Sequence, residues 1–170
     1  HLSNMLIEMT ERGPDSAGIA IYDGGASAGT VRITVLSTDP DYSWEQFKKE
    51  VRAVFGVSSK IEMNSNHAVL ILQAEARTVQ GWLKQNHPEL YMTSSGTNIT
   101  IFKEIGLPVD VISKFGIRGM SGSHALGHTR MATESAVTTS GSHPFSTGAD
   151  LCLVHNGSMS NHNRMRRTLE

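Results

Sequence analysis

Apolar positions recur with two different periods along this chain, and those periods predict its elements. Leu2, Met5, Leu6 and Met9 fall at helical spacing, which predicts a helix over residues 1–10 that Gly13 and Pro14 stop. Residues 17–22 (AGIAIY) predict a buried strand, with Asp23-Gly24-Gly25 as the turn after it. Val31, Ile33 and Val35 alternate with Arg32 and Thr34, which predicts a strand with one apolar and one polar face. Ser43-Trp44-Glu45-Gln46 has capping-box spacing, and Trp44, Phe47, Val51, Val54 and Phe55 form an apolar stripe behind it. Those aromatics read as core. Residues 68–72 predict a strand and residues 78–86 a helix halted before Pro88. Segments 90–93 and 98–103 flank Ser-Ser-Gly-Thr, which predicts a hairpin. Pro108 in a first turn, then Val109, Ile112, Phe115 and Gly116, predict another short helix. Residues 124–130 and 150–155 read as strands ending in polar loops, and Ser160 is placed to cap a last helix through Leu169.

Composition narrows the class. With 170 residues, 38% of them apolar and 18% charged, the chain is long enough for one domain with a real core, or one domain plus a small insert. The net charge of −1 and the lack of a basic stripe argue against nucleic-acid binding; Arg164, Arg166 and Arg167 read as a solvated helix face. No apolar run reaches membrane-spanning length, so no membrane association is expected. His1 to Thr10 has helical rather than signal-peptide character. Cys152 is the one cysteine, which excludes an intrachain disulfide and fits a reducing, cytoplasmic setting. The eight histidines show no paired-ligand spacing, so neither a metal nor a cofactor is expected. Residues 37–116 differ in texture from both flanks and would make a small α/β unit in which no chemistry is visible. From Gly119 onward Gly, Ser, His and Thr become dense.

Three segments have chemical character. Arg12-Gly13-Pro14-Asp15-Ser16-Ala17-Gly18 lies between a helix and a strand, where a turn could hold Arg12 and Asp15 close together; it also reads as a plain connector. Gly127-His128-Thr129-Arg130-Met131-Ala132-Thr133 sits at a strand end, where Arg130 could grip a carboxylate through two parallel N–H bonds or simply form a surface ion pair. His155-Asn156-Gly157 follows the run Leu151 to Val154. An Asn amide beside an unobstructed Gly N–H suits an oxyanion hole, and it equally suits a tight turn.

Taken together and in order, RGPDSAG at 12–18, GHTRMAT at 127–133, His143-Pro144 and LVHNGSMSNH at 153–162 resemble the class II glutamine amidotransferases. Within that family the form of RGPDSAG and the long insert look most like the small amidotransferase subunits of glutamate-synthase-like complexes. The resemblance implies an α+β fold, a four-layer αββα sandwich of N-terminal-nucleophile hydrolase type. Residues 1–36 and 117–170 would form the glutaminase domain, and residues 37–116 an inserted α/β subdomain. It implies hydrolysis of L-glutamine to glutamate and ammonia, the ammonia passing to a synthase partner domain or subunit. Arg130 would clamp the glutamine α-carboxylate. Asn156 and Gly157 would form the oxyanion hole. Thr133 and His143 would line or support the glutamine pocket, and Arg12 and Asp15 would hold the nucleophile's surroundings in shape.

The family's nucleophile is a cysteine at the mature N-terminus, whose own α-amine is the base. This chain starts with His1. Either it begins after the nucleophile strand and ends before the family's later acidic residue, in which case it would be inactive alone, or it is a non-catalytic relative serving as a binding or regulatory subunit. The helix that begins without a capped start favours the first reading. Met131 stands where many members carry an aromatic, and Glu134 where some carry His. Cys152 reads as a small buried apolar residue. It cannot pair with His155 as a nucleophile–base dyad on one strand, because positions i and i+3 point to opposite faces.

Overall fold

A computed structural model describes residues 1–24, 27, 29–132, 136–157 and 161–169. The 17–22 run becomes strand β1 (Ser16–Tyr22), buried along nearly its whole length because it has a strand on either side and packing on both faces. Helix α1 (Leu2–Glu8) precedes it, followed by a 3-10 turn at Thr10–Arg12. The apolar stripe of this first segment is divided: Leu6 is buried, whereas Met5 and Met9 are exposed.

Two antiparallel sheets carry the fold. One has four strands in the order β3 (Lys60–Asn64), β4 (His67–Leu72), β2 (Val31–Leu36), β5 (Tyr91–Gly96). The other has three, with β1 between β6 (Ile99–Ile105) and β7 (His124–Arg130). Helices α2 (Trp44–Phe55) and α3 (Ala76–Asn86) cover the four-stranded sheet, sealing Val31, Ile33, Val35, Ala68, Leu70 and Leu72 beneath Phe47, Val51, Val79 and Leu83. Helix α4 (Pro108–Phe115) packs with α1 on one face of β1, where Leu6, Ile19, Phe102, Val111, Ile112 and Phe115 form a second core. A short hairpin of β8 (Phe145–Gly148) and β9 (Leu151–Leu153) follows, then helix α5 (His162–Leu169). The fold is therefore α+β, with helices laid on antiparallel sheets. Among the described residues no helix is long and apolar enough to cross a membrane.

Several expectations change. The polar face of β2 does not meet solvent: Arg32 and Thr34 are buried, Arg32 bonding Asp23 and Thr34 accepting from Ser94. Ser43 occupies the N-cap position of α2 without a side-chain cap bond, and the Gln46 side chain, instead of reaching back to Ser43, donates to Glu50 at 2.7 Å. The expected hairpin at 90–103 does not form. β5 pairs with β2 and β6 pairs with β1, so the turn at Thr97-Asn98 carries the chain from one sheet into the other. Strands β3 and β8 were not anticipated, although Ile61 and Met63 alternate with Lys60, Glu62 and Asn64 in β3. The helix cap assigned to Ser160 lies outside the described residues.

The sheets also run across both edges of the segment 37–116. β6 lies within that segment and pairs with β1 over its full length, while β2 lies before it and is an inner strand of the four-stranded sheet.

Candidate functional site

Residues paired across neighbouring strands point to the same face of a sheet. On one face of the three-stranded sheet, Lys103, Gly18 and His128 therefore form a row, and Ile105, Ser16 and Arg130 form the next. This end of the face is polar. At the other end, Ile99, Ile101, Ala20 and Leu126 are apolar, and Tyr22 stacks on His124 at 4.1 Å.

Gly18 explains why the polar row can be covered. A β-carbon there would collide with the carbonyl oxygen of His143 and come within 2.7 Å of the Lys103 β-carbon. The missing side chain leaves a trough, and the His143-Pro144 segment, joined by a cis peptide bond, lies in it. The His143 ring then rests against His128 (4.4 Å between centroids) and edge-on to Phe145 (4.6 Å).

Lys103 ties that segment down. Only 4% exposed, it donates from Nζ to the carbonyls of Ser140 (2.9 Å), Ser142 (2.8 Å) and Pro144 (3.4 Å). Its ammonium also lies 4.6 Å from the centre of the Phe145 ring. Burial pushes Lys103 down to about 8, so it remains mostly charged at neutral pH. Next to it, Glu104 points to the opposite face and accepts from Thr139, from Asn66 (2.7 Å) and from Lys114 (2.6 Å). Burial alone would raise Glu104, but Lys114, Thr139 and the Ile105 N–H outweigh it and hold the carboxyl below its usual range.

Asp15 fixes the end of β7. Its backbone N–H donates to the Arg130 carbonyl at 3.0 Å, and its carboxylate accepts from the Ala132 N–H at 2.7 Å. Its own carbonyl accepts from Gly106 at 2.8 Å. One residue thus holds the backbone on both sides of Met131, directly after Arg130. Asp15 was expected to shape the site together with Arg12, but Arg12 is exposed, in the 3-10 turn before Gly13.

The two histidines are kept neutral. Burial pushes His143 down to about 4, and the neighbouring His128, Arg130, Lys103 and His155 lower it further. Burial also lowers His128, against the pull of the His155 backbone, and Arg130 lowers it further. These influences place His128, Arg130, His143 and His155 in one electrostatic neighbourhood. Asn156 and Gly157 follow His155 and are exposed, with Gly157 at φ 148°, a conformation that favours glycine. Thr133 and Glu134 lie outside the described residues. Met131 is exposed beside them.

The β8–β9 hairpin leading to His155 is anchored by Asp150. Its carboxylate accepts from the N–H groups of Thr97 (2.9 Å), Asn98 (2.7 Å) and Ile99 (3.0 Å) and from the Thr97 hydroxyl (2.9 Å). Burial raises Asp150, but the Asn98 and Thr97 donors outweigh it, leaving the carboxyl below its usual range. Cys152, in this hairpin, lies 3.5 Å from the Tyr22 hydroxyl. Tyr22 is at the end of β1 away from Ser16 and Arg130, about 20 Å off at the usual strand rise. Lys103 and Asp150 were not foreseen as positioning residues. The one available signal was a Lys-Glu pair inside the apolar run ITIFKEI.

No family model matches the chain. Over 169 residues it is 50% identical to the glutamine amidotransferase-like protein GlxB of Rhizobium meliloti, covering 99% of this chain and 56% of that one. It is 27% identical over 183 residues to a provisionally named glutamine amidotransferase of Methanothermobacter thermautotrophicus, covering 99% of this chain and 59% of the relative. It also matches the amidophosphoribosyltransferase of Methanocaldococcus jannaschii, 33% identical over 81 residues, covering 46% of this chain and 17% of that protein. The chain spans little more than half the length of the first two relatives, and its similarity to them includes residues 37–116. These relatives support a glutamine amidotransferase family for the chain.

Proposed function

We propose that this chain carries the glutamine-recognition and oxyanion elements of a class II glutamine amidotransferase, in an N-terminal-nucleophile hydrolase fold of four αββα layers. The reaction is hydrolysis of the L-glutamine side-chain amide, with the ammonia passed to an acceptor on a partner domain or subunit. The observation that carries this reading is the double hold of Asp15 on the backbone around Arg130, with the His143 segment in the adjacent row. Segments far apart in sequence that resemble one family thereby meet at one end of one sheet.

In this reading Arg130 pairs with the substrate α-carboxylate, and His143 and Thr133 line the pocket. Asp15 and Arg12 support the site. A thiolate attacks the amide carbon, and the oxyanion that forms is met by the Asn156 side-chain amide and the Gly157 N–H. Ammonia leaves with a proton from the attacking residue's α-amine, and water then releases glutamate. The nucleophile is not Cys152, which sits at the other end of β1 against Tyr22. This reading assigns the attack to a cysteine at the N-terminus of the mature protein, as in the family it resembles.

The test uses the intact protein. An electrophilic glutamine analogue should label an N-terminal cysteine, located by mass spectrometry. Arg130→Lys should raise the glutamine KM by roughly tenfold, the loss of one charge-assisted hydrogen bond. An unlabelled, folded protein with its partners present would instead make this a binding or regulatory subunit, and an unchanged KM would remove Arg130 from the clamp.

A further inference from the structure

A cavity of about 400 Å³ lies between the two sheets, at the end of β1 remote from Arg130. Its polar lining includes Asp23, Arg32, Glu62 and Asn64; its apolar wall includes Ile21, Val69, Phe102 and Met120. That volume is within the range of small-molecule sites.

Arg32 is the unusual group. It is 8% exposed, and Nη1 makes all of its hydrogen bonds to described residues: to both Asp23 oxygens at 2.6 and 2.8 Å, and to the Thr100 hydroxyl at 3.1 Å. Nε is buried and has no partner among the described residues. A guanidinium offers two edges suited to a carboxylate. Here Asp23 engages Nη1, and the Nε–Nη2 edge remains. A buried N–H without a partner is costly, and a ligand oxygen would remove that cost.

The charges select the ligand. Asp23 already neutralises Arg32, and Glu62 adds a second carboxylate to the lining, itself paired with Lys60 at 2.5 Å. A bare carboxylate or phosphate would therefore enter a site with no net positive charge. A zwitterion brings its own cation, and the apolar wall accommodates an uncharged side chain. We propose that this cavity binds a free α-amino acid with an apolar or neutral side chain, its carboxylate on the Nε–Nη2 edge of Arg32 and its ammonium toward Asp23 and Glu62. The site is independent of the glutaminase reading and lies about 20 Å from Arg130 along β1.

Calorimetric titration of the intact protein with L-leucine and L-methionine tests this. Each should bind, whereas 4-methylpentanoate, which lacks the ammonium, and 3-methylbutylamine, which lacks the carboxylate, should bind at least roughly tenfold more weakly. Arg32→Lys keeps a charge for Asp23 but removes the second edge, and should weaken L-leucine by a similar factor. Ser121→Trp, at an exposed position on the cavity lining, should block binding without altering the melting temperature. Arg130→Lys should leave L-leucine binding unchanged, which separates this site from any glutamine pocket. The proposal is overturned by no binding of either amino acid, by binding that survives Ser121→Trp, by binding lost in Arg130→Lys, or by equal binding of 4-methylpentanoate. Should Arg32→Lys fail to fold, the Ser121→Trp result decides.

Discussion

The four-stranded sheet with α2 and α3 and the polar end of the three-stranded sheet are ordered by different means. In the first, apolar side chains from two helices close over one sheet face, and no single contact dominates. In the second, Asp15, Lys103 and Asp150 each reach backbone groups far away in sequence, and those few bonds set where His143, Arg130 and the His155 loop lie. A packed core spreads its stability over many small contacts, whereas a tethered loop depends on individual residues. The first arrangement tolerates change until it fails as a whole. The second can lose its geometry while the fold persists.

Substitutions can break or sharpen that contrast. The largest effect should come from Phe47→Ala, which empties a fully buried aromatic site under α2 and should cost about 3–5 kcal/mol in urea unfolding. A loss below about 1 kcal/mol would mean that packing does not govern this region. Next, Asn156→Ala should lower kcat for glutamine hydrolysis by about 10²–10³ and leave unfolding unchanged, since Asn156 is exposed. A decrease under about threefold would reduce Asn156 to a turn residue.

Lys103 gives a pH signature. Its folded pKa of about 8 is below the unfolded value, so between the two the unfolded chain holds a proton that the folded chain has released. Stability from this group therefore rises with pH, by about 2 kcal/mol between pH 7.5 and 9.5. Lys103→Met should abolish the rise, measured as the difference from wild type in urea midpoints, because the half-buried Tyr22 and Tyr42 act in the opposite sense at higher pH. An identical pH profile in the variant would remove Lys103 as its source. The smallest effect belongs to His67, fully buried between Phe102 and Phe115 and pushed down to about 3 by burial. Here the unfolded chain takes up a proton below its normal value while the folded chain does not, so stability falls as pH drops. His67→Phe should recover about 1 kcal/mol of the loss between pH 7 and 5.5. No recovery would assign the acid sensitivity to other groups.

The sequence was legible where periodicity and packing agree. Helices α2, α3 and α4 and strands β1, β2 and β4 follow from apolar spacing, because that spacing is what burial acts on. The Gly116 stop and the turn at Pro108 follow from backbone chemistry. Partnering was less legible. The run 90–103 has the local form of a hairpin, yet its two strands join different sheets, a choice made by neighbours distant in sequence. Ser43 shows the same competition on a smaller scale, since Glu50 takes the Gln46 side chain that a capping box would have used.

At the candidate site, Arg130 and His143 were visible as motif residues, and Asp15 as a support. Their meeting place depends on Gly18, whose missing side chain admits the His143 segment, and on Lys103, an inconspicuous lysine in an apolar strand. Nothing local distinguishes such a lysine from one that reaches solvent, because its three acceptors come from a loop some forty residues away.

The placement of β1 also has a consequence for synthesis. Both of its partners, β6 and β7, are translated long after it, whereas β2, β4, β3 and β5 are complete once residue 96 has emerged. The four-stranded unit can therefore close on the ribosome while Ser16–Tyr22, an almost wholly apolar strand, still waits with both edges open. Such a segment is a ready template for pairing with another nascent chain. Pauses in translation between residues 96 and 130 should accordingly be the ones that most reduce the yield of native protein.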